Sequence, residues 1–181
     1  MRYPSVMIDI ETLSSESNAA VIQIGACAFN IAGGCAEPWS MIVKPDLDKT
    51  PASLSTIAWW MQQNEAARSH MATCAESGVP PAVALEGLDA YIKQWCEPKF
   101  DAWAMPPEFD LVILRHLGNT TGRVMSWRFD RTRDLRTLES LANCTKADRV
   151  PATVPHDAGY DAQAQALTAI KYRAKILGER Q

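Results

Sequence analysis

The run Ser5-Val6-Met7-Ile8-Asp9-Ile10-Glu11 places the tightest constraint on how this chain folds. Ser5 to Ile10 is apolar enough for a buried strand, yet two acids enter at its end. Residues two apart on a strand project to one face, so both carboxylates point the same way. Burying two like charges side by side costs free energy unless cations neutralise them. Two readings remain open from these residues. The strand ends at Asp9 and both acids are solvated, or the fold builds a site for hard divalent cations, which prefer carboxylate oxygens.

The remaining pattern supplies a frame for that strand. Val21 to Phe29 alternates and then turns mostly apolar, and Trp39 to Val43 is apolar again, with Gly33-Gly34 between them, so the chain opens as a three-strand meander. Leu54, Ile57, Ala58 and Met61 recur at helical spacing after a cap at Ser53 or Ser55. A short helix follows Asn64 to about Met71, and Ser77-Gly78-Val79-Pro80-Pro81 is a loop. Val83, Leu85, Leu88, Tyr91, Ile92 and Trp95 trace one face of a helix that should lie across a sheet. Phe100 to Ala104 reads as a buried strand, Phe109 to Leu117 as a helix, and Met125 to Arg131 as a strand or extended connection. Asp134 caps a helix carrying Leu135, Leu138 and Leu141, and an Ala-rich helix runs from beyond Pro155 to about Leu177. At 181 residues, against roughly 150 per domain, the expectation is one domain over 1–181, an α/β domain with a mixed sheet.

Composition excludes several classes. With 47% apolar and 22% charged residues the chain is globular rather than disordered. Its longest apolar stretches stop short of the ~18 residues needed to span a bilayer. Asp9 interrupts the place where a signal peptide needs an apolar run. Five cysteines, an odd number without zinc spacing, read as reduced packing thiols, so a cytoplasmic location is expected. The net charge of −3 hides a gradient. Residues 1–100 hold 6 basic and 11 acidic side chains, and residues 101–181 hold 12 and 10. The basic excess is densest at Arg123, Arg128, Arg131, Arg133 and Arg136, a cluster suited to a polyanion or to a merely solvated face.

Two further acidic features lie far along the chain. In His156-Asp157-Ala158-Gly159-Tyr160-Asp161, residues five apart would sit on different helix faces. Pro155 and Gly159 instead put His156 on an entering loop and Asp161 in the first helical turn, where the two can converge. Asp161 could equally serve only the helix dipole, and Asp157 competes as the cap. Asp110, after Phe109, begins an apolar helix that follows a short strand, a position where an acid is favourable by ~0.3–1 kcal/mol without any function. As a set, the acids sit where distant segments can meet at one end of a sheet.

Taken in order, Asp9-x-Glu11, Phe109-Asp110 and His156-x-x-x-x-Asp161 resemble the DEDDh exonucleases of the ribonuclease-H-like superfamily, which include proofreading subunits of DNA polymerases and oligoribonuclease. Ile8-Asp9-Ile10-Glu11-Thr12-Leu13 followed by Asn18 to Ala26, Arg133-Asp134-Leu135-Arg136-Thr137-Leu138, and Trp59-Trp60 are similar to a narrower branch, that of mycobacterial RNase AS and phage exodeoxyribonuclease A. The resemblance covers essentially the whole chain. It departs at Met105-Pro106-Pro107, where relatives often carry Asn or Gly, and at Ser14, where a Gly is common.

The resemblance implies a ribonuclease-H-like mixed β-sheet flanked by α-helices and a 3′–5′ exonuclease. Such an enzyme would release nucleoside monophosphates from a single strand of RNA or DNA with a free 3′ end. Asp9, Glu11, Asp110 and Asp161 would hold two divalent cations, Mg²⁺ with Mn²⁺ as substitute, of the kind that clamp both oxygens of an in-line displacement. In that scheme Asp9 bridges both metals, Glu11 and Asp161 hold the one that activates water, and Asp110 serves the other. His156, with an unperturbed pKa near ~6.5, would be the general base. His70 and His116 have no acid at matching spacing and read as structural. Thr12 and Leu13 would receive the terminal nucleotide, and Phe109 is core or stacking. Of Trp59 and Trp60, about 100° apart on a helix, at most one is core and the other could stack on a base. Arg133 and Arg136 share a face for phosphate or pair with Asp134 or Glu139. Relatives often dimerise, so a homodimer is a further expectation. A binding module without turnover and a metal-dependent endonuclease are the competing functions, which hydrolysis and the product ladder separate.

Overall fold

A computed structural model describes residues 2–179, without the side chains of Ala66 and His70. In it the first apolar run grows into β1 (Tyr3–Thr12), the middle strand of a five-stranded sheet. β2 (Val21–Phe29) and β3 (Trp39–Ile42) continue antiparallel from it as the expected meander. On the other side β4 (Cys96–Ala104) runs parallel to β1, and β5 (Thr132–Asp134) runs parallel to β4. The order is β3-β2-β1-β4-β5. Because β1 continues to Thr12, with Asp9 opposite Gly25 and Glu11 opposite Gln23, both acids belong to a central strand, and the solvated-loop reading is excluded.

The period of two along β1 divides the core. Val6, Ile8 and Ile10 meet Leu85, Leu88 and Ile92 of α3 (Pro81–Trp95), together with Leu111 and Leu114 of α4 (Pro107–Thr121). Met7, Cys27, Phe29 and Trp103 meet Ala162, Ala166, Ala169 and Tyr172 of α6 (Ala158–Ile176). The alanines let α6 lie close on the sheet, on the face that Asp9 and Glu11 share with Met7. The approach is closest at Gly25. A Cβ there would stand 2.0 Å from the carbonyl carbon of Ala158, so any larger residue would push the start of α6 off β2.

Several sequence expectations shift. α1 (Leu54–Met61) is capped by Ser53, but its expected apolar stripe faces solvent: Leu54 is 86% and Met61 62% exposed, while Trp60 is 1% exposed. A two-turn helix can dock through one large side chain, and Trp60 anchors it by donating its indole N–H to the Thr12 carbonyl at 2.9 Å. α2 (Glu65–Ser77), capped by Asn64, runs six residues beyond the expected end, because its polar C-terminal half contains nothing that stops a helix. Met125 to Arg131 forms no strand. A short 3-10 turn at Phe129–Arg131 leads into β5, whose three polar residues carry no alternation to announce them. α5 (Leu135–Leu141) starts at the Asp134 cap as expected, although Leu141 is exposed because the helix ends there. All five cysteines are free. No helix among the described residues is long and apolar enough to cross a membrane.

Candidate active site

The topology brings the five sequence-selected residues together. Asp9 and Glu11 come from the middle of the sheet. Asp110 comes from the first turn of α4, where the chain has just left β4, and its Oδ1 accepts the backbone N–H of Ile10 at 3.3 Å. Asp161 lies in the first turn of α6, and its Oδ2 accepts the backbone N–H of His156 at 2.9 Å. That bond closes the loop residue onto the helix, as Pro155 and Gly159 foretell. Asp157 takes the cap, accepting from Gly159 and Tyr160. His156 has a left-handed backbone (φ 63°), which turns its ring toward Glu11, with Nδ1 3.9 Å from Oε1. Ligand atoms of Glu11, His156 and Asp161 all lie within 4.8 Å of one another.

Residues outside the five hold this arrangement, and among them Gln165, Gln23, Arg149 and Tyr172 were given no role by the sequence reading. Gln165 donates its amide N–H to Asp9 Oδ1 at 2.6 Å from one turn beyond Asp161 on α6. The i, i+4 spacing of Asp161 and Gln165 places both on one helix face and is the signal that could have found it. Gln23, opposite Glu11 on β2, clamps the start of α6: it donates to Asp157 at 2.9 Å and accepts from Ala158 N at 3.1 Å. Trp59 and Trp60 stand edge-on to the His156 ring, with centroids 5.2 and 5.8 Å away. Arg149 grips Glu139 through two bonds of 2.6 and 2.8 Å, and Tyr172 donates to the same carboxylate, tying down the segment that leads to His156.

Burial and proximity act on the acids as the sequence suggested. Burial first, then the charges of Asp110, Glu11 and Asp161, raises Asp9 well above the usual carboxylate range. Glu11 is pushed up to about 8 by burial and by Asp161, Asp110 and Asp157. Burial raises Asp110 to about 7 against the opposing hydrogen bond from Ile10, and raises Asp161 to about 6 against the bond from His156. Four carboxyls that resist ionisation together, all offering oxygen, are a donor set that suits hard divalent cations. The residues therefore fit such ions.

The family model of the Rv2179c-like 3′-5′ exoribonuclease domain matches residues 4–172. The chain belongs to this family. Membership makes it a 3′–5′ exonuclease domain, and the match covers all five of the residues above. No curated protein sequence matches the chain. Solved structures share its fold. The nuclease domain of 3′hExo, a DEDDh family member bound to rAMP, has 12% identity and a TM-score of 0.66 over 98% of this chain and 96% of that one. S. pombe Pop2p, in a form with Mg²⁺ and Mn²⁺ bound, has 15% identity and a TM-score of 0.63 over 97% and 84%. Cell-death related nuclease 4 has 17% identity and a TM-score of 0.61 over 97% of this chain, which spans 65% of that nuclease. The sheet order and flanking helices are those of the ribonuclease-H-like α/β fold.

The other candidate residues take varied places. Thr12 is buried at the end of β1, with its hydroxyl donating to the Ser14 carbonyl at 2.7 Å, and Leu13 packs beside Trp60. Phe109 is half-buried against the main core. Trp59 is 44% exposed, so of the two tryptophans Trp60 is core and Trp59 is free to meet a ligand. Arg133 and Arg136, expected to share a face, stand on different elements, because α5 begins only at Leu135. Arg133 stands on β5 and pairs with Asp101 at 3.2 Å, whereas Arg136 is exposed on α5, where its charge acts on Asp110. Asp134 instead accepts backbone N–H groups of α5, and Glu139 pairs with Arg149 while also feeling the charge of Arg136. His116 lies on α4 with a buried Nε2 that has no hydrogen-bond partner among the described residues, and the structural reading of His70 falls outside them.

Proposed function

We propose that this domain is a divalent-metal-dependent exonuclease that removes nucleoside monophosphates from the 3′ end of single-stranded nucleic acid, with RNA the favoured sugar in keeping with its family. The observation that carries the reading is the convergence of Asp9, Glu11, Asp110 and Asp161, four mutually repelling carboxyls from three elements, beside His156. The four acids would hold two cations, Mg²⁺ or Mn²⁺, which when bound neutralise the cluster and stabilise charge developing on the phosphodiester. His156 would accept the proton of the attacking water at a ring nitrogen. The Asp161 bond to its backbone and the edges of Trp59 and Trp60 keep the ring over Glu11. Gln165 orients Asp9. Thr12 and Leu13, at the end of β1 beside the acids, border the place for the terminal nucleotide, and Arg136 supplies a positive charge for its phosphate. A cytoplasmic setting suits the five free cysteines.

A 5′-labelled single strand tests the end-directed reading when compared with the same strand blocked by a 3′ phosphate. A ladder shortening one nucleotide at a time from the free end alone supports it. Internal fragments from both strands would make the enzyme an endonuclease.

A further inference from the structure

The basic cluster between Arg123 and Arg131 takes no part in the site above, and it borders a continuous groove. Four cavities of about 240, 170, 470 and 340 Å³ follow one another over the outer face of α4 and the 123–131 segment. Adjacent cavities share walls: Arg115 closes the first three, Phe129 the second and third, and Arg128 the third and fourth. One end begins at Ser17, in the loop that follows β1, and at Pro107 and Glu108, just before Asp110. The other end reaches Lys99 on β4.

We infer that this groove binds the upstream part of the single-stranded substrate, with Arg115 and Lys99 on phosphates and Phe129 as a platform for a base. The inference rests on the exonuclease reading proposed above and extends it away from the reacting end.

Charge carries the argument first. The chain is acidic overall at −3, yet the groove walls hold Lys99, Arg115, Arg123, Arg128 and Arg131 against Glu108 and Asp130. Arg123, Arg131 and Arg128 are engaged by Glu86, Asp101 and Asp130, whereas Arg115 and Lys99 have no ion-pair partner among the described residues. Shape carries it next. Phe129 is 77% exposed in the middle of the cations, an aromatic ring offered to solvent as single-strand binders offer theirs. Its neighbours Val124 and Met125 add apolar wall. Length agrees, since from Glu108 to Asn119 the helix advances roughly 16 Å, room for about five nucleotides stacked at ~3.4 Å each. A second copy of the chain is a poorer occupant, because a two-fold interface would set this cationic patch against itself.

The test uses the full chain and 5′-labelled single-stranded RNA of two and of ten nucleotides. Arg115→Gln and Phe129→Ala both change exposed positions outside the catalytic cluster, so their melting temperatures should match the parent. For the ten-mer each variant should raise KM by roughly 5- to 100-fold with kcat unchanged, the usual worth of one stacked base or phosphate contact. For the dinucleotide, KM should stay at the parent value. Arg115→Gln should also lower the salt dependence of kcat/KM by about one unit of slope. Equal effects on both substrates, or none on the ten-mer, would overturn the groove assignment. So would a parent dimer that Phe129→Ala splits into monomers without moving KM. If the parent cleaves neither substrate, the exonuclease reading fails while the groove remains measurable. Anisotropy of labelled ten-mer in EDTA should then show weaker binding to both variants, and undiminished binding would overturn the groove.

Discussion

Replacing Glu11 by Gln should make the metal-free protein more stable. Glu11 is the cleanest acid for this change because burial, Asp161, Asp110 and Asp157 all raise its pKa and no hydrogen bond opposes them. Its side chain is only 13% exposed, so solvent screens it little. A folded-state pKa of about 8 against an ordinary 4.5 means that the unfolded chain releases its proton first as pH rises. Stability therefore falls with pH above 4.5 and stops falling once the folded group also ionises near 8. At ~1.36 kcal/mol per unit the whole cost is on the order of 4–5 kcal/mol. Gln keeps the shape and removes the charge, but its amide must also be desolvated, so about 2–4 kcal/mol should be recovered at pH 8. For a chain of this size that corresponds to a rise of roughly 4–16 °C in melting temperature. The assay is thermal unfolding in EDTA at pH 8 and again at pH 5, where the gain should shrink to a few degrees or less. Adding Mg²⁺ should stabilise the parent at pH 8 and largely erase the difference. A variant no more stable than its parent at pH 8, or equally more stable at both pH values, would refute the reasoning.

Asp161→Asn should abolish hydrolysis in single-turnover assays while circular dichroism stays native, and activity within tenfold of the parent would remove Asp161 from the site. His156→Ala should lower kcat by about 10²- to 10⁴-fold without a matching rise in KM, the usual worth of a positioned base. Gln165→Leu frees Asp9 Oδ1 from its 2.6 Å bond, so the Mg²⁺ concentration for half-maximal rate should rise severalfold with the melting temperature little changed. An unaltered metal requirement would make Gln165 a bystander. Gly25→Ala puts a methyl group 2.0 Å from the Ala158 carbonyl carbon, so it should lower the melting temperature by more than 10 °C or yield insoluble protein.

The spacing of residues told most where it was tied to backbone geometry. Asp9 and Glu11 share a face because strands repeat every two residues, and His156 meets Asp161 because Pro155 and Gly159 mark where a loop becomes a helix. Asp134 and Ser53 could be read as caps from their place before apolar runs, and both are caps. The reading failed where packing against another element decides. The face of α1 was misjudged because Leu54, Ile57, Ala58 and Met61 form a stripe, while Trp60 alone finds a pocket beneath it. β5 is only Thr132, Arg133 and Asp134, so nothing apolar marks it. Gln165 had only its i, i+4 spacing to Asp161 to mark it in an Ala-rich helix, and its bond to Asp9 appears only once α6 is laid against β1. The groove along α4 joins residues from 17 to 132, a combination no local pattern announces.

The decisive measurement is cleavage of a 5′-labelled single-stranded RNA by the parent and by Asp9→Asn, each in Mg²⁺ and in EDTA, with a matched DNA strand alongside. The arrangement of the four acids predicts a ladder that shortens from the 3′ end in Mg²⁺, vanishes in EDTA and is absent with Asp9→Asn in either buffer. Cleavage that persists in EDTA, or that survives in Asp9→Asn, would contradict the assignment of these carboxylates to a metal-assisted site.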